Sequence, residues 1–245
     1  MVAIGGELAR RPLHFFFVCD SSGSMSVEGK IQALNEAIRQ AIPAMRDVAK
    51  DNPEATVYVR AICFATEAKW HISTETKLDQ LTWTDIVADG VTDMGKAMEL
   101  LADTFDGMQQ LRALPPVIVL ISDGEPTDNF NEGLDKLNAS PWGQKAVRIA
   151  IAIGSRANIN CLALFTGNPK LVLVAKSAPE LAHCIKWAST VPVDVASKVT
   201  LVLPHNLKEP DPKKPDPKET YEFPSYVIEL SSGGENNENI IDIWP

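Results

Sequence analysis

Phe15-Phe16-Phe17-Val18-Cys19-Asp20-Ser21-Ser22-Gly23-Ser24 joins an unbroken apolar run to a loop of one carboxylate and three hydroxyls. An apolar run of that length, ended by Gly and Ser, suits a central parallel strand covered on both faces. In open α/β sheets, ligands gather beyond the carboxyl ends of such strands, where the strand order reverses. The loop offers only oxygen, from Asp20, Ser21, Ser22 and Ser24. Oxygen donors without thiol or imidazole suit Mg²⁺, Mn²⁺ or Ca²⁺. Ser and Asp are also preferred helix N-caps, so this loop alone leaves capping and metal binding both open.

Two later segments bear on that choice. Val117-Ile118-Val119-Leu120-Ile121-Ser122 is a second buried-strand pattern, and it ends in Asp123 followed by Gly124-Glu125-Pro126-Thr127-Asp128. Between them, Gly90-Val91-Thr92-Asp93-Met94-Gly95-Lys96-Ala97 presents Thr92 at the expected start of a helix. The pattern Asp-x-Ser-x-Ser at Asp20, Ser22 and Ser24, with the distant Thr92 and Asp123, resembles the metal-ion-dependent adhesion site (MIDAS) of von Willebrand factor A (vWA) domains. The resemblance implies a doubly wound, Rossmann-like α/β fold and a metal site made by Asp20, Ser22, Ser24, Thr92 and Asp123. It implies a divalent cation, Mg²⁺ first with Mn²⁺ or Ca²⁺ as alternatives, that recruits an Asp or Glu carboxylate from a protein partner. In the family, the two Asp positions often act through water or orient the hydroxyls.

The segments Cys19–Met25, Thr92–Gly95, Ser122–Asp128 and Ile185–Ser189 resemble the bacterial TerY type, which is associated with tellurite resistance. That likeness implies a cytoplasmic bacterial protein of a stress-response or phosphorylation-linked complex, often encoded beside a protein phosphatase and a protein kinase. One departure is Val91, where the group more often carries Gly, and Val91 is expected to narrow the Thr92 loop. Asp93 is read as a first-turn helix charge. Glu125 and Asp128 either shape selectivity or cap the helix that follows. Gly90 and Gly95 are expected to let the loop approach closely.

The totals agree with such a module. A chain of 245 residues with 45% hydrophobic and 22% charged residues can bury a full core. A net charge of −9 argues against a nucleic-acid partner, because phosphate binding draws on clustered Lys and Arg. No apolar run of about 20 residues predicts a membrane span, and the stretch after Arg10-Arg11 is too short for a signal peptide. Cys19, Cys63, Cys161 and Cys184 are scattered without a Cys-x-x-Cys pair, so free thiols in a reducing compartment are expected. The four histidines read as surface or packing residues.

Apolar spacing predicts a helix to about residue 50, kinked or divided at Pro43. A strand over 56–64 is expected, with an antiparallel edge over 69–73. Helices are expected over 94–112, 129–139, 158–164 and 179–190, and further strands over 147–153 and 171–174. Strands alternating with helices predict a mostly parallel sheet with one antiparallel edge and helices on both faces.

The expected organisation is a leader over 1–11, the vWA domain over 12–203, a Pro-rich charged linker over 204–225 and an acidic tail over 226–245. Glu229, Glu235, Glu238 or Asp242 of the tail is a candidate for the open metal position of the same or a neighbouring molecule. An interaction module rather than an enzyme is expected. The alternative is a Mg²⁺-dependent phosphotransferase or phosphatase with Asp20 as nucleophile. Against it, Ser22 stands where a second carboxylate is usual, and Walker A, Gly-x-Ser-x-Gly and His-Glu-x-x-His motifs are absent.

Overall fold

A computed structural model describes residues 10–108 and 112–198. Among them six strands form one sheet: β1 (Arg11–Asp20), β2 (Ala55–Ala65), β3 (Glu67–Lys77), β4 (Val117–Ser122), β5 (Val147–Ile153) and β6 (Val172–Ala175). Their order is β3-β2-β1-β4-β5-β6. Only β3 runs antiparallel to its neighbour; the other pairings are parallel. This is the mixed, doubly wound sheet expected from the alternation of strands and helices.

The helices are α1 (Lys30–Lys50), α2 (Met94–Gly107), α3 (Phe130–Ala139), α4 (Pro141–Lys145), α5 (Ile159–Thr166) and α6 (Ala178–Lys198), of which α6 follows the last described strand and the others lie in the connections between strands. Alternation along β1 feeds two cores. Leu13, Phe15, Phe17 and Cys19 pack with Leu34 and Ile38 of α1 and Leu181 and Ile185 of α6. Phe16 and Val18 pack on the opposite face with Met98 and Leu101 of α2, Leu134 of α3 and Leu162 of α5. Phe15, Phe16 and Phe17 are each at most 1% exposed, and burial of one such ring stabilises by about 2–3 kcal/mol. Strand β1 is apolar on both sides because helices cover both sides.

Several boundaries differ from the sequence reading. Helix α1 runs through Pro43 undivided. Pro43 lies on the exposed face, where water can satisfy the carbonyl that loses its partner. Helix α2 ends at Gly107, short of the expected 112, and residues 109–111 lie outside those described. Helix α6 continues past 190 through Pro192, because Ala188 and Val193 are fully buried in the α1-side core and packing outweighs propensity. The short α4 was not anticipated from the sequence. Its one turn starts with Pro141 and holds no periodic apolar pattern. All four cysteines are free. The expected linker and acidic tail, with Glu229, Glu235, Glu238 and Asp242, lie outside the described residues.

Candidate functional site

The strand order reverses between β1 and β4. The chain leaves β1 to build β2 and β3 on one side, then returns across the sheet to β4 on the other. The crevice at their carboxyl ends is where open α/β sheets place ligands. Parallel register sets Cys19 beside Ile121, so Asp20 and Asp123 leave their strands side by side. All five expected residues come to this crevice.

Asp20 is fully buried. Its Oδ1 accepts the Ser22 N–H at 2.8 Å and its Oδ2 accepts the Ser122 hydroxyl at 2.6 Å. Burial pushes its pKa up to about 6, against the pull of those two hydrogen bonds and with a further push from Asp123. The hydroxyls form a chain from there. Ser22 Oγ and Ser24 Oγ stand 2.9 Å apart, and the Ser24 hydroxyl donates to Asp123 Oδ1 at 2.7 Å. The other carboxylate oxygen, Asp123 Oδ2, accepts from Lys30 Nζ at 2.8 Å in a pair whose side chains are both 1% exposed.

Lys30 reaches the site because of a local turn. Glu28 and Gly29 both take positive φ, 56° and 73°, a conformation that Gly adopts at little cost and Glu rarely takes. This turn starts α1 with Lys30 directed inward beneath the loop.

Thr92 arrives on a separate segment that is pinned at several points. The Gly23 N–H donates to Gly90 O at 2.9 Å, and the Asp89 N–H donates to Ser21 O at 2.8 Å. Thr92 N–H donates to Thr127 Oγ1 at 3.0 Å, and its carbonyl accepts the Thr127 N–H at 2.9 Å. Gly90 has φ +82°, and a Cβ there would fall 2.5 Å from Thr66 Oγ1. The close approach therefore needs glycine. At Gly124 an added Cβ would stand 3.7 Å from Thr92 Oγ1 and 3.8 Å from Ser24 Oγ. Both hydroxyls thus border one small space beside the Asp123 loop.

Several neighbouring residues play parts other than those read from sequence. Asp93 accepts the Thr127 hydroxyl at 3.0 Å and the Glu67 N–H at 2.8 Å. It braces three loops rather than charging the first turn of α2, because it precedes that turn. Asp128 accepts the N–H groups of Gly95 and Lys96 at 2.9 and 2.8 Å. It therefore caps α2 from the neighbouring β4–α3 loop on the same face of the sheet, while Asn129 caps α3, the helix that follows. Val91 is 47% exposed, and its N–H donates to Thr66 Oγ1 at 3.4 Å. Gly95 does serve close approach, since a Cβ there would meet Asn129 O at 2.8 Å.

Lys30, Ser122 and Thr127 were missed from sequence. For Lys30 the signal was present: it shares a helical face with the buried Leu34, Ala37 and Ala41. Ser122 and Thr127 are ordinary strand-end and loop residues, and nothing local marks them.

The donor set suits a hard cation. Among the described residues no group of three or more His, Cys, Asp or Glu side chains converges, so this site has two carboxylates and fills out with hydroxyls.

Residues 15–125 match the family model of the von Willebrand factor type A domain. No curated protein matches the chain. Among solved structures, the von Willebrand factor type A protein from Catenulispora acidiphila is 15% identical, with TM-score 0.56, over 74% of this chain and 42% of that one. Proximal thread matrix protein 1 of the mussel byssus, described with a zinc-occupied MIDAS motif, is 16% identical, with TM-score 0.54, over 76% and 47%. The pilus adhesin SpaC from Lactobacillus rhamnosus GG is 12% identical, with TM-score 0.62, over 76% and 31%. The chain spans less than half the length of each of these proteins. Residues 15–125 thus carry the sequence pattern of a von Willebrand factor type A domain, and the described residues have that domain's Rossmann-like fold.

Proposed function

We propose that this domain is a metal-dependent protein-interaction module whose site is built by Ser22, Ser24, Thr92, Asp20 and Asp123. The observation that carries the reading is the meeting of three hydroxyls and two carboxylates from three separate loops at the β1/β4 crevice. Ser22, Ser24 and Thr92 would donate neutral oxygens, while Asp20 holds Ser22, Asp123 holds Ser24 and Thr127 holds Thr92 by hydrogen bonds. Formally the two carboxylates and the Lys30 ammonium leave one net negative charge in the site. A divalent cation bound there would keep excess positive charge and offer it to an Asp or Glu carboxylate of a partner protein. The all-oxygen donor set suits Mg²⁺ first, with Mn²⁺ or Ca²⁺ as alternatives. The zinc-occupied motif of the mussel protein supports metal binding by this fold in general.

The surroundings narrow the partner. Val27, Val87 and Val91 are 43%, 80% and 47% exposed, on the segments that frame the site. A partner acid flanked by apolar side chains would bury them with its carboxylate. The motifs at 19–25, 92–95 and 122–128 support placement with the TerY type. In that setting the module would serve a cytoplasmic tellurite- or stress-resistance complex, with a protein phosphatase and a protein kinase as candidate partners. Among the described residues no helix is long and apolar enough to cross a membrane. No observation favours the enzyme reading, since Asp20 is fully buried with both oxygens hydrogen-bonded.

Thermal unfolding tests the proposal. Mg²⁺ or Mn²⁺ at ten times its dissociation constant should stabilise by about 1.4 kcal/mol, a rise of roughly 3–6 °C for a domain of this size. The Ser22→Ala/Ser24→Ala variant should show no rise. Equal shifts in both proteins, or none in either at millimolar metal, would refute the metal site.

A further inference from the structure

We infer that a groove at the opposite end of the sheet from the metal-type site is a docking site for this chain's own acidic segment, residues 226–245. The groove encloses about 460 Å³ between the end of α1 and the starts of β1 and β2. Ala49, Ala55, Val57 and Leu78 give it an apolar floor, and among the described residues Arg10, Arg46, Lys50 and Lys77 line it with one acid, Asp79, while Asp47 pairs with Lys50 at 3.1 Å. Four cations at one place are unexpected on a chain of net charge −9. Arg46 is held in position by hydrogen bonds to the carbonyls of Leu78 and Leu81, at 3.0 and 2.8 Å. Lys50 and Lys77 are exposed at the rim.

The route of the chain brings the segment to this end. Helix α6 runs back down the sheet, and Asn52 Nδ2 donates to Asp194 Oδ1 at 3.2 Å. Asn52 lies just past the α1 terminus that borders the groove, so α6 reaches Lys198 on the same side of the molecule. Residues 226–245 hold Glu229, Glu235, Glu238 and Asp242, with no Lys or Arg, beside Val227, Ile228, Leu230, Ile240, Ile241, Ile243 and Trp244. Acids interleaved with large apolar groups complement an apolar floor with a basic rim. The intervening residues 199–225 are long enough to reach either end of the domain, so charge decides. The metal-type site is bordered by Glu28, Asp89, Asp93 and Glu125, which would repel the segment unless a cation intervened. Tethering on a linker of this length supplies an effective concentration on the order of millimolar, so a weak intrinsic affinity suffices.

Amide hydrogen exchange on the full chain tests the inference, read on peptides covering 226–245 in a metal-free buffer. Docking should slow exchange about tenfold, the ratio expected when nine molecules in ten hold the segment bound. Lys50→Glu/Lys77→Glu should abolish the slowing, and adding Glu238→Lys/Asp242→Lys should restore it. If the groove variant fails to fold, Glu238→Lys/Asp242→Lys alone, outside the domain, should abolish it. Exchange at the free-peptide rate in the parent would overturn the inference, as would slowing untouched by either charge change. Slowing that needs Mg²⁺ and vanishes in Ser22→Ala/Ser24→Ala would place the segment on the metal instead. Slowing that grows with protein concentration would assign it to a second copy.

Discussion

Replacing Lys30 by Met keeps a long apolar stem and removes the ammonium. Asp123 Oδ2 then loses its 2.8 Å partner while the carboxylate stays buried. Breaking a buried pair from one side costs about 3–5 kcal/mol, because the remaining charge stays desolvated. Urea unfolding of Lys30→Met without metal should show a loss of that size, and Lys30→Met/Asp123→Asn should recover most of it. The site of Lys30→Met also carries one more net negative charge, so Mg²⁺ should stabilise that variant more than the parent. A smaller metal effect in Lys30→Met would contradict the charge assignment. The same residue shows what a local reading can miss. Lys at the start of an amphipathic helix ordinarily faces water, and only Asp123, on a loop distant in sequence, makes its burial tolerable.

Helix α2 carries the Thr92 loop at its amino end, yet it supplies no side-chain cap of its own there. Asp128, from the β4–α3 loop, accepts the first free N–H groups at 2.9 and 2.8 Å. Two elements that bring their loops to the site are therefore joined by one carboxylate. Asp128→Ala should cost about 2 kcal/mol, within the range for lost caps and charge-assisted hydrogen bonds. It should also reduce the Mg²⁺-induced thermal shift, because the segment that positions Thr92 loosens. Unchanged stability and unchanged metal response would separate α2 from the site. The elements themselves were legible in outline. Strands β4 and β5 announce themselves as short apolar runs bounded by polar residues, and α1 as a clear stripe. Their ends were less so, because Pro43 and Pro192 break helices only where packing and solvent fail to compensate.

Across the whole molecule, two buried titratable groups on β1 oppose each other. His14, near the start of the strand, is 2% exposed. Burial lowers its pKa below the ordinary 6.5, against the attraction of Glu75 and with added repulsion from Arg60. The unfolded chain therefore binds the proton more readily, so the stability this group contributes is present above 6.5 and is lost as pH falls below it. Asp20, at the far end, is raised from 3.8 to about 6. Its contribution is fully present below 3.8 and is lost as pH rises through about 6. Acidification from pH 7.5 to 5 in chelator should therefore destabilise the parent relative to His14→Phe, as read from urea midpoints at each pH. A pH-independent difference between the two proteins would remove His14 from this account. The two ends of the sheet thus differ in chemistry, with an oxygen-lined crevice at the carboxyl edge and a basic groove at the amino edge.

Taken by itself, the sequence determined the alternation of strands and helices, apart from the short α4, and the apolar character of β1 on both faces, while Asp20, Ser22, Ser24, Thr92 and Asp123 stood together there through a resemblance to a family pattern. These rest on periodicity and on short motifs, which are local properties of the chain. Only the tertiary structure decided that Lys30 neutralises Asp123, that Ser122 holds Asp20, that Asp128 caps a helix it does not precede, and that four cations surround one groove. Each of these joins segments far apart in sequence, as with the span from Lys30 to Asp123. Such contacts arise from how a doubly wound sheet folds its crossovers back on themselves, and no local pattern encodes them.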